Sequence, residues 1–216
     1  MKSIPSSPLR LFLVRHGETA WSLSGQHTGR TDILLTQHGE DEARALAMHL
    51  REIRFAQVMS SPLKRALQTC ELAGLGKDPE VTSDLAEWDY GDYEGKSSAE
   101  IRKQFRDWNV YRDGCPGGEM PEQVSARADI LIARLKAMEG NVALFTHGQI
   151  GSAIAARWIG LAVAEAGHFS LGTASLSILS FDPHHPGVPV IALWNAPPRI
   201  MAGSICDDSA GGRSGE

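Results

Sequence analysis

The chain has only three cysteines in 216 residues, Cys70, Cys115 and Cys206, far apart and with no C-x-x-C pair. That spacing suggests neither a disulfide framework nor a zinc knuckle, and it fits reduced thiols in a cytosol. A basic excess is missing too: the formal net charge is -5. General affinity for nucleic acid or an anionic membrane needs a basic face, so both partners are excluded, and any anion must be caught locally. The polar, proline-rich stretch Met1 to Pro8 is followed by a short apolar run, Leu9 to Val14, that contains Arg10. Neither a signal core nor a membrane span can be made from it, and the expected location is cytoplasmic. Internal repeats are also lacking.

What remains is an ordinary globular composition, 42% hydrophobic and 22% charged. The length suits one α/β domain, expected over residues 1–202, with a flexible tail at 203–216. Leu9 to Val14 reads as a buried strand that ends abruptly in Arg15-His16-Gly17-Glu18-Thr19. Apolar residues at Ala43, Leu46, Ala47, Leu50 and Ile53 predict a helix over 36–54 capped by Thr36. Phe55 to Met59 reads as a strand. Ser60-Ser61-Pro62 then opens a helix over 63–73 with proline at its first position, Arg65 in its first turn and Gly74 at its end.

Val81 to Glu87 is expected to be extended and to lead into the turn-rich Asp89 to Gly95. Helices are predicted over 97–108 and 120–138, around the Gly- and Pro-rich linker 112–118, and this helical lid, roughly 90–120, could cover the mouth of the sheet. Asn141 to Thr146 repeats the first pattern: a buried strand ending in His147-Gly148, then a helix over 149–159. Closing strands are expected over 174–181 and 188–194, with His184-His185 in a surface turn between them. The five tryptophans read as core or pocket wall. Alternation of this kind predicts a three-layer α/β/α sandwich with a mostly parallel central sheet. Ligands bind beyond the carboxyl ends of such strands, where Arg15, His16 and His147 should lie.

Four segments then fall into a known order. Arg15-His16-Gly17-Glu18-Thr19, Ser61-Pro62-Leu63-Lys64-Arg65-Ala66, Glu87 before Tyr90-Gly91-Asp92-Tyr93-Glu94-Gly95, and Thr146-His147-Gly148 together resemble the histidine phosphatase superfamily, also called phosphoglycerate mutase-like. The resemblance implies that His16 is transiently phosphorylated, a task suited to a neutral imidazole whose other nitrogen is held by a hydrogen bond. It implies that Arg15, Arg65 and His147 clamp the phosphate, and that Glu87 is the acid/base residue. No side chain in this set requires a metal, and no cofactor is implied. Gly25 to Gly29 resembles the family's second phosphate-binding loop, where Thr28 and backbone N–H groups near Gly29 could contact the anion. His27 in that loop, Ser22 just before it and Gly148 are further candidate contacts.

The expected reaction is hydrolysis of a small phosphorylated metabolite. Cofactor-dependent mutases of this family carry a long insertion after the acid/base glutamate, whereas only thirty residues separate Glu87 from Gly118. A short lid leaves the phosphohistidine open to water. Ser22 stands where the family often has Asn, and with Trp21 and Gly25-Gln26-x-Thr28-Gly29 it resembles the sugar-bisphosphatase branch. Three alternatives remain: a mutase, a metallohydrolase using His16, His147 and Glu87 as ligands, and an inactive module that binds phosphorylated ligands. The oligomeric state is not specified by the residues.

Overall fold

Alternating apolar side chains give β1 (Arg10–Arg15) two buried faces. Leu11 and Leu13 enter one hydrophobic cluster and Phe12 and Val14 the other, because successive side chains of a strand leave opposite faces. The structure, a computed structural model, describes residues 8–198, so the tail expected at 203–216 and the last residues of the expected domain lie outside it.

β1 pairs in parallel with β4 (Asn141–Thr146), β4 with β2 (Phe55–Ser60), and β2 with the short β3 (Glu80–Val81). On its other side β1 pairs antiparallel with β5 (Leu176–Phe181), which pairs antiparallel with β6 (Pro189–Ala196). The order is β3-β2-β4-β1-β5-β6, and only β5 runs against the rest.

Helices cover both faces. α2 (Gln37–Leu50) and α3 (Lys64–Leu72) contribute Leu46, Leu50 and Cys70 to the Phe12 side. α6 (Pro121–Leu135) and α7 (Gly148–Trp158) contribute Leu131 and Ile154 to the Leu11 side. Each fully buried leucine stabilises the fold by roughly 1.5–3 kcal/mol. The three-layer sandwich expected from the alternation is the fold observed. Among the described residues no helix is long and apolar enough to cross a membrane.

The differences from expectation are local. Pro62 stays outside α3: Leu63 is the extended N-cap, and the first turn is capped by Asp32 Oδ1, which accepts the Lys64 N–H at 2.8 Å. Of the expected extended segment Val81 to Glu87 only Val81 belongs to a strand, as the last residue of β3, because Thr82 caps a 3₁₀ turn at Ser83–Leu85. The helix expected over 97–108 is α4 (Ser98–Arg102); Arg102 then folds back to donate to the Trp108 carbonyl at 3.0 Å, and Asn109 caps a further helix, α5 (Val110–Asp113). A short helix, α1 (Ala20–Ser24), forms on a capping box between Thr19 and Ser22. Trp88, Trp108 and Trp158 are core residues, and His184-His185 occupies an exposed turn held by Asp182.

Candidate active site

β1 and β4 are neighbours in register, so their carboxyl ends deliver Arg15 beside Thr146 and, one residue on, His16 beside His147. The two imidazole centroids are 5.2 Å apart. The His16 main chain is tied on both sides, its N–H to the Thr146 carbonyl at 2.9 Å and its carbonyl to the Ala174 N–H at 3.0 Å. Its Nδ1 lies 2.7 Å from the Gly17 carbonyl, which can only accept, so the proton is on Nδ1 and Nε2 keeps its lone pair. Among the described residues nothing bonds to that Nε2. Burial first, then the charges of Arg15 and Arg65, hold the His16 pKa well below the ordinary imidazole value, and the ring is neutral.

Arg65 is fully buried in the first turn of α3. Its Nε donates to His147 Nδ1 at 3.1 Å, its NH2 to the carbonyls of Thr28 and Gly29, and its NH1 to that of Thr31. One NH1 hydrogen remains for a ligand. The arginine can only donate, so His147 carries its proton on Nε2, which meets Ser61 Oγ at 2.7 Å. Both His147 nitrogens are committed, and direct contact with a phosphate would require one of these bonds to be given up. Burial, followed by Arg65, keeps this ring neutral as well.

Arg15 donates to the Leu171 carbonyl, while its Nε is buried without a partner among the described residues. Among the described residues none of the hydrogen bonds of either guanidinium goes to a carboxylate. A buried cation and an orphaned N–H are costly, on the order of 1–3 kcal/mol for the N–H alone, and an anionic ligand would satisfy both.

Glu87 is 8% exposed and caps α7: Oε1 accepts from the Trp88 and Ile150 N–H groups and Oε2 from that of Gln149. Gly148 fits between the arginine and this carboxylate, since a Cβ there would stand 3.5 Å from the Arg15 guanidinium and 3.7 Å from Glu87 Oε2. Beside them lies a cavity of about 240 Å³ lined by Arg15, Tyr111, Gln149, Ser152 and Phe169, among others.

The loop from Gly25 corrects one expectation. Its backbone was expected to offer N–H groups to an anion, but its Thr28 and Gly29 carbonyls, with that of Thr31 just beyond, point at Arg65, and the Gly29 N–H is taken by Glu94. Thr28 turns its hydroxyl to the Gln26 carbonyl. His27 stacks on Tyr90 at 4.5 Å, bonds to Ser98 Oγ at 3.0 Å, and has its pKa lowered by burial to about 4. Ser22 closes the α1 capping box. Sequence reasoning brought together Arg15, His16, Arg65, Glu87, His147 and Gly148. It missed Ser61 and Glu94 as site-building groups although both stood inside quoted motifs, and it missed Tyr111, Gln149 and Ser152, for which no local pattern gives a signal. Among the described residues, no group of three or more His, Cys, Asp or Glu side chains is placed to hold a metal ion.

The fold is that of the phosphoglycerate mutase-like α/β enzymes. The chain belongs to the histidine phosphatase superfamily, branch 1, whose model matches residues 11–196. A Mycobacterium tuberculosis protein named acid phosphatase is 43% identical over 198 residues, 90% of this chain and 97% of that protein. The sedoheptulose 1,7-bisphosphatase of Saccharomyces cerevisiae is 36% identical over 194 residues, 75% of this chain and 72% of the yeast protein. A solved structure of an open reading frame product from Mycobacterium tuberculosis has a TM-score of 0.82 at 41% identity, covering 88% of this chain and 98% of that one. Family and relatives make this protein a phosphatase.

Proposed function

We propose that the enzyme hydrolyses a small sugar phosphate or bisphosphate through a phosphohistidine on His16, without a metal, in the cytoplasm. One observation carries the reading: a neutral imidazole with an unshared Nε2 sits beside the buried Arg65 and half-buried Arg15 guanidiniums, which among the described residues hydrogen-bond to no carboxylate. Nε2 attacks phosphorus while Arg15 and the remaining NH1 hydrogen of Arg65 meet the charge spreading over the transferring oxygens. Glu87, protonated for this step, gives its proton to the leaving oxygen. The carboxylate then takes a proton from water, which attacks the phosphohistidine and frees inorganic phosphate.

The cavity next to Arg15 supports a hydroxylated leaving group, since it combines amide and hydroxyl side chains with aromatic walls. The yeast relative's name supports the sugar-bisphosphate class. The short lid supports hydrolysis over mutase transfer. Among the described residues Cys70 and Cys115 form no disulfide, which supports a reducing compartment.

Rapid-quench mass spectrometry with a panel of sugar phosphates and phosphoglycerates tests the route. An acid-labile adduct on His16 followed by inorganic phosphate is expected, whereas release of an isomerised phosphoester would make the enzyme a mutase. Activity should persist in excess EDTA; loss on chelation and rescue by one metal would defeat the metal-free reading.

A further inference from the structure

The lid holds a carboxylate that the proposed chemistry does not use. Glu94 follows the 3₁₀ turn Gly91–Tyr93. Both its oxygens accept the Gly29 N–H at 3.0 Å, and Oε1 also accepts the Thr31 N–H at 3.0 Å. On the opposite side of the same loop, the Thr28, Gly29 and Thr31 carbonyls accept from Arg65 at 2.8, 3.1 and 3.0 Å. The Thr28–Gly29 peptide is therefore held end to end, its N–H on the carboxylate and its C=O on the guanidinium. A peptide unit carries a dipole of about 3.5 D, and here it is aligned between anion and cation, so each bond polarises the other.

Close approach is possible only because residue 29 is glycine. A Cβ there would lie 2.6 Å from the Trp88 carbonyl and 2.8 Å from Glu94 Oε2. Beyond the loop the chain of bonds continues from Arg65 to His147 Nδ1 at 3.1 Å and from His147 Nε2 to Ser61 at 2.7 Å. The order is fixed at each link by which group can only donate or only accept.

We propose that Glu94 is a positioning residue: acting through the Thr28–Gly29 peptide, it fixes the buried Arg65 guanidinium and the His147 tautomer, and so couples the lid to the phosphoryl site. This rests on the reading that Arg65 meets the phosphoryl group. Glutamate suits the role because two acceptor oxygens serve two N–H groups. A glutamine would offer one oxygen and would set its NH₂ against a backbone N–H.

The test is Glu94→Gln in the wild-type and Arg65→Lys backgrounds. It reads kcat and KM for p-nitrophenyl phosphate, the ¹⁵N imidazole signals of His147 in the resting enzyme, and thermal unfolding. Glu94→Gln should lower kcat by about 10- to 100-fold, the scale of a misplacement near 1 Å, with little change in KM. It should also abolish the single Nε2–H form of His147. In the Arg65→Lys background the same change should cost no more than about twofold, because the two residues act in one chain. A wild-type His147 spectrum, or losses that multiply in the double variant, would show that Glu94 serves only the folding of the lid and would overturn the proposal. If Glu94→Gln does not fold, Glu94→Asp takes the same measurements, since it keeps the charge but is one methylene shorter. The NMR arm needs no turnover, so a wild type inactive on every phosphomonoester would defeat the phosphatase reading while the tautomer still decides this one.

Discussion

Two strands of this sheet lead into the same His-Gly pair, and the two histidines are held in opposite ways. His16 has one nitrogen on the Gly17 carbonyl and the other unshared, whereas His147 has one on Arg65 and the other on Ser61. Both are buried and neutral, so their difference lies in their partners and not in their charge. An imidazole with a spare lone pair is a nucleophile; one bonded at both ends is a brace. The comparison shows that a residue's chemistry in this fold is assigned by what lies behind it.

Substitutions that remove or blur the contrast should have graded effects. His16→Ala should lower kcat on the order of 10⁶-fold, the scale for losing a nucleophile that works as part of a unit. Steady-state assays with p-nitrophenyl phosphate would show it, and equal activity would refute the mechanism. Arg65→Ala removes the brace and one phosphoryl contact together, and should lower kcat by about 10²–10³. Lysine should restore little, because a single ammonium cannot reproduce the fork that serves His147 and three carbonyls.

Glu87→Gln should discriminate between substrates. A sugar phosphate, whose leaving oxygen needs a proton, should suffer far more than p-nitrophenyl phosphate, and equal losses would give Glu87 another role. Ser61→Ala acts on the brace and also removes the oxygen that accepts the Leu63 N–H at 3.3 Å. It strands the His147 Nε2–H in a dry interior and should cost about 1–3 kcal/mol of stability, read from urea unfolding, with a smaller effect on kcat than any change above.

A last effect, on stability and not on turnover, is that of pH. His27, half-buried and lowered by that burial to about 4, joins the buried His16 and His147 as a neutral imidazole. An unfolded imidazole titrates near 6.5, so between the folded and unfolded values the unfolded chain binds more protons. Stability is therefore complete above about pH 6.5 and lost as the pH falls. His27 alone should contribute a loss of about 2 kcal/mol at pH 5, and His27→Gln should flatten the profile by that much.

Much of this was legible in the residues. Buried strands ending in Arg-His and Thr-His, followed by helices, placed Arg15, His16 and His147 at the carboxyl ends of a sheet, and the motif order carried the family. The contrast between the two histidines was not visible, because it depends on partners that no local pattern reveals: Arg65 and Ser61 lie 82 and 86 residues from His147 in the chain. The direction of the loop at Gly29 was missed for a related reason. Glycine and threonine permit either face of a peptide to point inward, and the choice is made by Glu94 from a distant segment. Helix α3 begins two residues later than Pro62 suggested because its cap comes from Asp32, 32 residues upstream of Lys64. Helix α1 has five residues, too few to show a period.

The anchoring of His16 has a practical result. Its main chain is sewn to Thr146 and Ala174 at the centre of the sheet, whereas Glu94, Tyr90 and His27 belong to segments outside the named strands. Central strands exchange their amide hydrogens last, and loops open first. On warming, turnover should therefore fail before the sheet melts. A preparation judged sound by far-ultraviolet circular dichroism can already have stopped working, so heat-inactivation curves and melting curves of this enzyme should be recorded separately.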